Sequence, residues 1–103
     1  MDPDETLDDT RASESESEDL QEILSDPHAR CLVAYLREQS GPVALSTAAT
    51  HVAAGVTDTE PEAVPDEVRN RVQTFLHRGQ LPELARHGVV EFDPERDTVA
   101  LRR

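Results

Sequence analysis

The chain has 103 residues, with 22 acids against 10 bases and a formal net charge of −12, which leaves room for one domain with a small core. The single cysteine excludes an internal disulfide and any cysteine-cluster metal site. No apolar run reaches membrane-spanning length and the acidic start is unlike a signal peptide, so a soluble, cytoplasmic protein is expected.

Every base is arginine, and lysine is absent. An acidic, lysine-free protein suits a cytoplasm rich in salt, where self-repulsion is screened. In a low-salt cytoplasm the same balance would argue against nucleic acid as a partner. The aromatic residues are Tyr35, Phe75 and Phe92, so the core must be aliphatic. A domain of this size is marginal alone, and a homodimer is expected.

Residues 1–17 hold seven acids against Arg11, a net of −6, and Leu7 is the only large apolar residue after Met1. This segment cannot bury enough surface to offset its ordering entropy, and a disordered acidic tail is expected there. Leu20, Ile23 and Leu24 follow at helical spacing, with Ser17 as an N-cap. Asp26 and Pro27 are suited to cap and open the next helix, Pro27 to Gln39. Its shared face is read as Cys31, Leu32, Tyr35 and Leu36, with Ala29 and Val33 at the margin.

Gly41-Pro42 breaks the chain, and Val43 to Leu45 can form a short strand beside a hairpin. Ser46 is expected to cap a helix ending near Gly55, with alanine-rich Ala49, Val52 and Ala53 turned inward. Val56 to Val64 reads as a loop, longer than the turn of compact DNA-binding helix-turn-helices.

Val68, Val72, Phe75 and Leu76 mark a third helix and lie at roughly 0°, 40°, 340° and 80° on a helical wheel. Continued as one α-helix, Leu81, Leu84 and Ala85 would fall near 220°, 160° and 260°, almost opposite. Gly79 and Pro82 therefore predict a break, with helices over Asp66–Arg78 and Leu81–His87, or one kinked helix whose two faces pack differently. Gly88 stands where a left-handed C-cap residue belongs. Beyond it the period becomes two: Val90 and Phe92 alternate with Glu91, and Val99 and Leu101 with Thr98 and Ala100. Asp93-Pro94-Glu95-Arg96-Asp97 joins the two strands, with Pro94 suited to position i+1 of a type I turn.

A helix running into a small hairpin predicts a mostly α (α+β) winged helix-turn-helix domain over residues 18–103, ending in a two-stranded wing. The segment QLPELARHGVVEFD resembles the HLxxLxxAGLV stretch of ArsR-like winged-helix repressors, with Gln80 where those proteins usually have histidine. The longer run from DPHARCLVAYL through LHRGQLPELARHGVVEFDPERDTVAL is similar to an uncharacterised winged-helix family of halophilic archaea, over Asp19 to Leu101. The resemblance implies a DNA-binding transcriptional regulator. A winged helix can equally serve as a protein-interaction module that does not bind DNA.

Arginine carries the strongest functional signal. Residues 66–87 contain Arg69, Arg71, Arg78 and Arg86 against Asp66, Glu67 and Glu83, a net of +1 in an acidic protein. Arg71 and Arg78 are seven apart, two α-helical turns, with Gln73, Thr74 and His77 on polar flanks. Arginine and glutamine reach both phosphates and base edges, so these seven residues form the candidate DNA-binding set. The competing reading pairs the arginines with nearby carboxylates, as surface ion pairs of little energetic weight. What discriminates the two is whether the arginines are free on one surface. The wing tip, with three acids and one arginine, would repel phosphate.

His28, His51, His77 and His87 lack metal-ligand spacing, and surface histidines are expected. Cys31, on an apolar face, reads as a small buried hydrophobe. No nucleophile motif or glycine-rich phosphate loop predicts an enzyme. No residue set predicts a cofactor, a metal or a small-molecule ligand.

Overall fold

The computed structural model describes residues 20–102. The expected acidic tail and the Ser17 cap lie outside the described residues. Residues 20–25 are helical, and Leu20, Ile23 and Leu24 are partly buried against the core.

Helix α1 spans Pro27–Arg37 and opens as its local sequence predicts. The Asp26 side chain accepts a hydrogen bond from the His28 backbone N–H at 2.8 Å, and Pro27 takes the first turn, where no N–H is needed. Its buried residues are Ala29, Leu32 and Leu36. The expected face is thus turned by roughly 60° on the helical wheel. Ala29 moves from margin to core, while Cys31 and Tyr35 are half-buried. The cause is tertiary: the third helix reaches the start of α1, where His28 and Phe75 meet with ring centroids 4.9 Å apart.

Strand β1, Val43–Ala44, leads directly into α2, Leu45–Thr57. Ser46 therefore lies inside the helix and does not cap it; the N-cap is Ala44, with no side-chain bond. The orphan N–H of Leu45 donates instead to the carbonyl of Asp97 in the wing, at 2.9 Å. The helix also runs past Gly55 to Thr57 and ends at Asp58, in the left-handed region with φ 55°. Ala48, Ala49, Val52, Ala53 and Ala54 are buried along it. A 3-10 turn at Pro61–Ala63 then interrupts the connection expected to be plain loop.

The third helix resolves the phase conflict by a route the break residues only hint at. Helix α3, Asp66–Phe75, passes through a π-helical turn, Leu76–Gln80, into α4, Leu81–Arg86, without leaving helical geometry. The two separate helices read from Gly79 and Pro82 are one run with a widened turn. The Leu81 N–H donates to the Leu76 carbonyl five residues back, and both leucines are fully buried. Proline at 82 has no N–H, and its ring would strike the carbonyl four residues earlier, so a wider turn is the accommodating geometry. Phe75 is not part of the inward stripe; it is 43% exposed.

The run ends in a Schellman motif. Gly88 has φ +75°, its N–H donates to the Ala85 carbonyl at 3.0 Å, and the Val89 N–H donates to the Leu84 carbonyl at 2.9 Å. Strands β2, Val90–Asp93, and β3, Thr98–Leu101, form the hairpin, and β1 adds to the other edge of β3. All pairings are antiparallel, with Val99 opposite both Phe92 and Val43. At the tip, Asp93 Oδ1 accepts from the Glu95 and Arg96 N–H groups, and Asp97 has φ 55°.

Leu32, Leu36, Leu45, Leu76, Leu81, Leu84, Val90 and Val99 meet in one core under the hairpin. The architecture is a mostly helical α+β domain of three helices followed by an antiparallel hairpin, and it resembles a winged helix.

Candidate nucleic-acid interface

The seven sequence-derived residues all lie on the bent third helix, and the fold does not gather them into one patch. Arg71, Thr74, His77, Arg78 and Arg86 are exposed, whereas Arg69 and Gln73 are half-buried. Arg71 and Thr74, with Glu67 and Asn70, line a shallow open depression along α3. These four follow helical spacing, so a single outward stripe carries them. Beyond Phe75 the π turn takes more residues per turn. Seven residues from Arg71 to Arg78 therefore no longer equal two α turns, although Arg78 stays in solvent. Arg86 is fifteen residues from Arg71, roughly 22 Å along a helix axis.

The electrostatics separate the arginines further. Arg69 Nη1 lies 3.3 Å from Asp66, Arg71 Nη2 2.7 Å from Glu67, and Arg86 Nη2 2.6 Å from Glu83. The Glu83 carboxyl is held below its ordinary value chiefly by the Arg86 hydrogen bond and then by its charge. Arg78 differs: it has no ion pair among the described residues. Positions three and four residues from it are Thr74, Phe75, Leu81 and Pro82, none of them an acid. These pairs are exposed and join residues three or four apart, which places them among the weak ones. They bias the arginines without locking them.

His77 leans on the wing, its ring 5.5 Å from that of Phe92. Arg96 Nε lies 3.8 Å from Asp93 Oδ2, and Pro94 to Asp97 are exposed, so the wing tip presents mainly carboxylate.

Three residues outside the predicted set hold this surface in place. Gln80, in the π turn, is buried at 7% exposure. Burial raises the Asp26 carboxyl, but hydrogen bonds from the His28 backbone, the His28 ring and the Gln80 side chain, with the His28 charge, bring it below its ordinary value. The His28 Nδ1 to Asp26 Oδ1 distance is 2.9 Å. Asp26, His28 and Gln80 thus tie the start of α1 to the bend of the third helix. Asp26 was visible as a cap; its second task was not. For Gln80 the available signal was its place in the QLPELARHG segment, where histidine is usual.

Among the described residues, no group of histidine, cysteine and acidic side chains is placed to hold a metal ion, and no helix is long and apolar enough to cross a membrane. A family model for a domain of unknown function, DUF7344, matches residues 21–100. No curated protein and no solved structure matches the chain.

Proposed function

Since the chain belongs to the DUF7344 family of domains of unknown function, we propose from its geometry that it binds DNA as a winged-helix transcriptional regulator, acting as a homodimer. The observation that carries this reading is the outward stripe on the third helix, where Arg71 and Thr74 are exposed and Arg78 is both exposed and without a carboxylate partner among the described residues. In a winged helix this is the element placed to enter the major groove. The resemblance of the Gln80–Asp93 segment to ArsR-like repressors supports the same reading. Arg78 is the base-reading candidate, because binding through it breaks no existing ion pair. Arg71 must first leave Glu67, a modest cost for an exposed pair.

The test is binding of genomic DNA fragments, followed by fluorescence anisotropy in molar potassium chloride. Arg78→Ala should weaken binding by about 1–3 kcal/mol and relax sequence preference. Arg71→Ala should weaken all sequences alike and flatten the salt dependence. Arg96→Ala, in the acidic wing tip, should change little. Equal effects from all three variants would remove the helix-led reading.

A second reading rests on a specific observation: Arg69, Arg71 and Arg86 are already paired, and the wing is acidic. That pattern suits a winged helix used for protein interaction. Failure of the wild-type protein to bind any genomic fragment while folded would favour it.

A further inference from the structure

The unpaired arginines are not confined to the third helix. Arg30 and Arg37 on α1 are exposed and also lack an ion pair among the described residues. They stand seven residues apart, with exposed Ala34 between them on the same stripe. Beside this stripe runs an open groove between α1 and the end of α2, lined by Pro27, Arg30, Cys31, Ala34, Gly55 and Val56. Its floor is closed by a tight approach: a Cβ on Gly55 would sit 2.8 Å from Cys31 Sγ. The groove is therefore made of small apolar groups with positive charge along one side.

We propose that the acidic N-terminal segment of this same chain docks in that groove, with Leu7 seated among the small residues and Glu5 and Asp8 set against Arg30 and Arg37. Leu7 is the only large apolar residue of the segment after Met1, and acids stand close on both sides in Glu5-Thr6-Leu7-Asp8-Asp9. The seven helical residues from Arg30 to Arg37 span roughly 10 Å at about 1.5 Å per residue. Glu5 to Asp8 covers roughly 10 Å when extended at about 3.3 Å per residue. The connection is long enough. Asp8 to Leu20 can reach roughly 40 Å at about 3.3 Å per residue, against roughly 16 Å for the whole of α1. Residues 20–25 lead into Pro27, so the segment arrives at one end of the groove. Complementary charge and one apolar anchor give a role to a stretch whose composition alone predicts a solvated tail.

Cys31, the only cysteine, lines the groove and reports on its occupancy. The experiment measures the rate of Cys31 alkylation by a maleimide on the full chain, at the lowest potassium chloride concentration that keeps the domain folded by circular dichroism. Leu7→Ser, and separately the pair Glu5→Gln with Asp8→Asn, are compared with wild type. All these changes are distant in sequence from the thiol, so its intrinsic reactivity is untouched. Both variants should react about threefold faster or more, the rise expected when a groove two-thirds occupied is released. Unchanged rates in both would overturn the proposal. A wild-type rate that falls with protein concentration would also overturn it, by placing the segment of a second copy in the groove.

Discussion

Helix α1 and the bent third helix carry the same basic residue, yet their arginines stand in different states. On the third helix, Asp66, Glu67 and Glu83 lie three or four residues from Arg69, Arg71 and Arg86, and each pair closes. On α1, Arg30 is flanked at those distances by Asp26, Pro27, Val33 and Ala34, and Asp26 is already engaged by His28. Arg37 has Val33 and Ala34 behind it and the chain break ahead. Availability of an arginine is decided by its neighbours one turn away, more than by the net charge of its helix. The two helices differ in shape for an equally local reason. Proline opens α1 where no N–H is needed, and proline interrupts the third helix where one is.

The comparison is most exposed to failure in the core. If the bent run is one packed unit, Leu84→Ala beyond the bend should cost about 2–5 kcal/mol, as Leu32→Ala on α1 should. Urea unfolding in molar salt would measure both. A cost below about 0.5 kcal/mol at Leu84, usual for surface sites, would detach α4 from the core. Phe92→Ala should cost less than Leu84→Ala, because Phe92 is only half-buried.

Next in size is the cap that joins the two helices. Asp26→Ala should destabilise by about 0.5–2 kcal/mol, and Asp26→Asn by less, since asparagine also caps. The pH dependence has a definite sign. The folded-state pKa of Asp26 is lowered, so its contribution is present above the unfolded value and is lost as pH falls through the folded one. An acid titration of stability should therefore be shallower in Asp26→Asn than in wild type. Identical profiles would show that the carboxylate does not couple the helices.

Smaller still is the Arg71–Glu67 pair. Glu67→Ala should cost about 0.3–0.5 kcal/mol, a value read most cleanly from a double-mutant cycle with Arg71→Ala. A coupling above about 1 kcal/mol would mean that Arg71 is held and is a poor candidate for DNA contact. Arg30→Ala should change stability least, within about 0.5 kcal/mol, because no partner is lost. A larger loss would place Arg30 in a stabilising contact and end its contrast with Arg71.

Features governed by one turn of chain were legible before any fold was known. Asp26 and Pro27 at the start of α1, Gly88 as the left-handed stop and the Asp93–Asp97 turn all follow from backbone requirements of single residues. The alternation of Val90, Phe92, Val99 and Leu101 identified the hairpin for the same reason. The candidate site was half legible. Its residue types and their helix could be read, but their sharing of a surface could not, because that depended on the geometry between residues 75 and 82. Gly79 and Pro82 signalled an irregularity without specifying its form. A break and a π turn both relieve the proline, and only burial of Leu76 and Leu81 in one core selects the latter.

Tertiary contact also decided the rest. Ser46 is a sound cap by local rules, but the Asp97 carbonyl, fifty residues away in sequence, already supplies the acceptor that starts α2. Phe75 fits an inward stripe by spacing, yet the π turn gives that direction to Leu76, and the phenyl ring rests against His28 at the surface. Helical spacing shows which side chains share a face, and the sequence by itself determined that much. Which face turns inward depends on the elements packed against it, and those contacts belong to the folded chain.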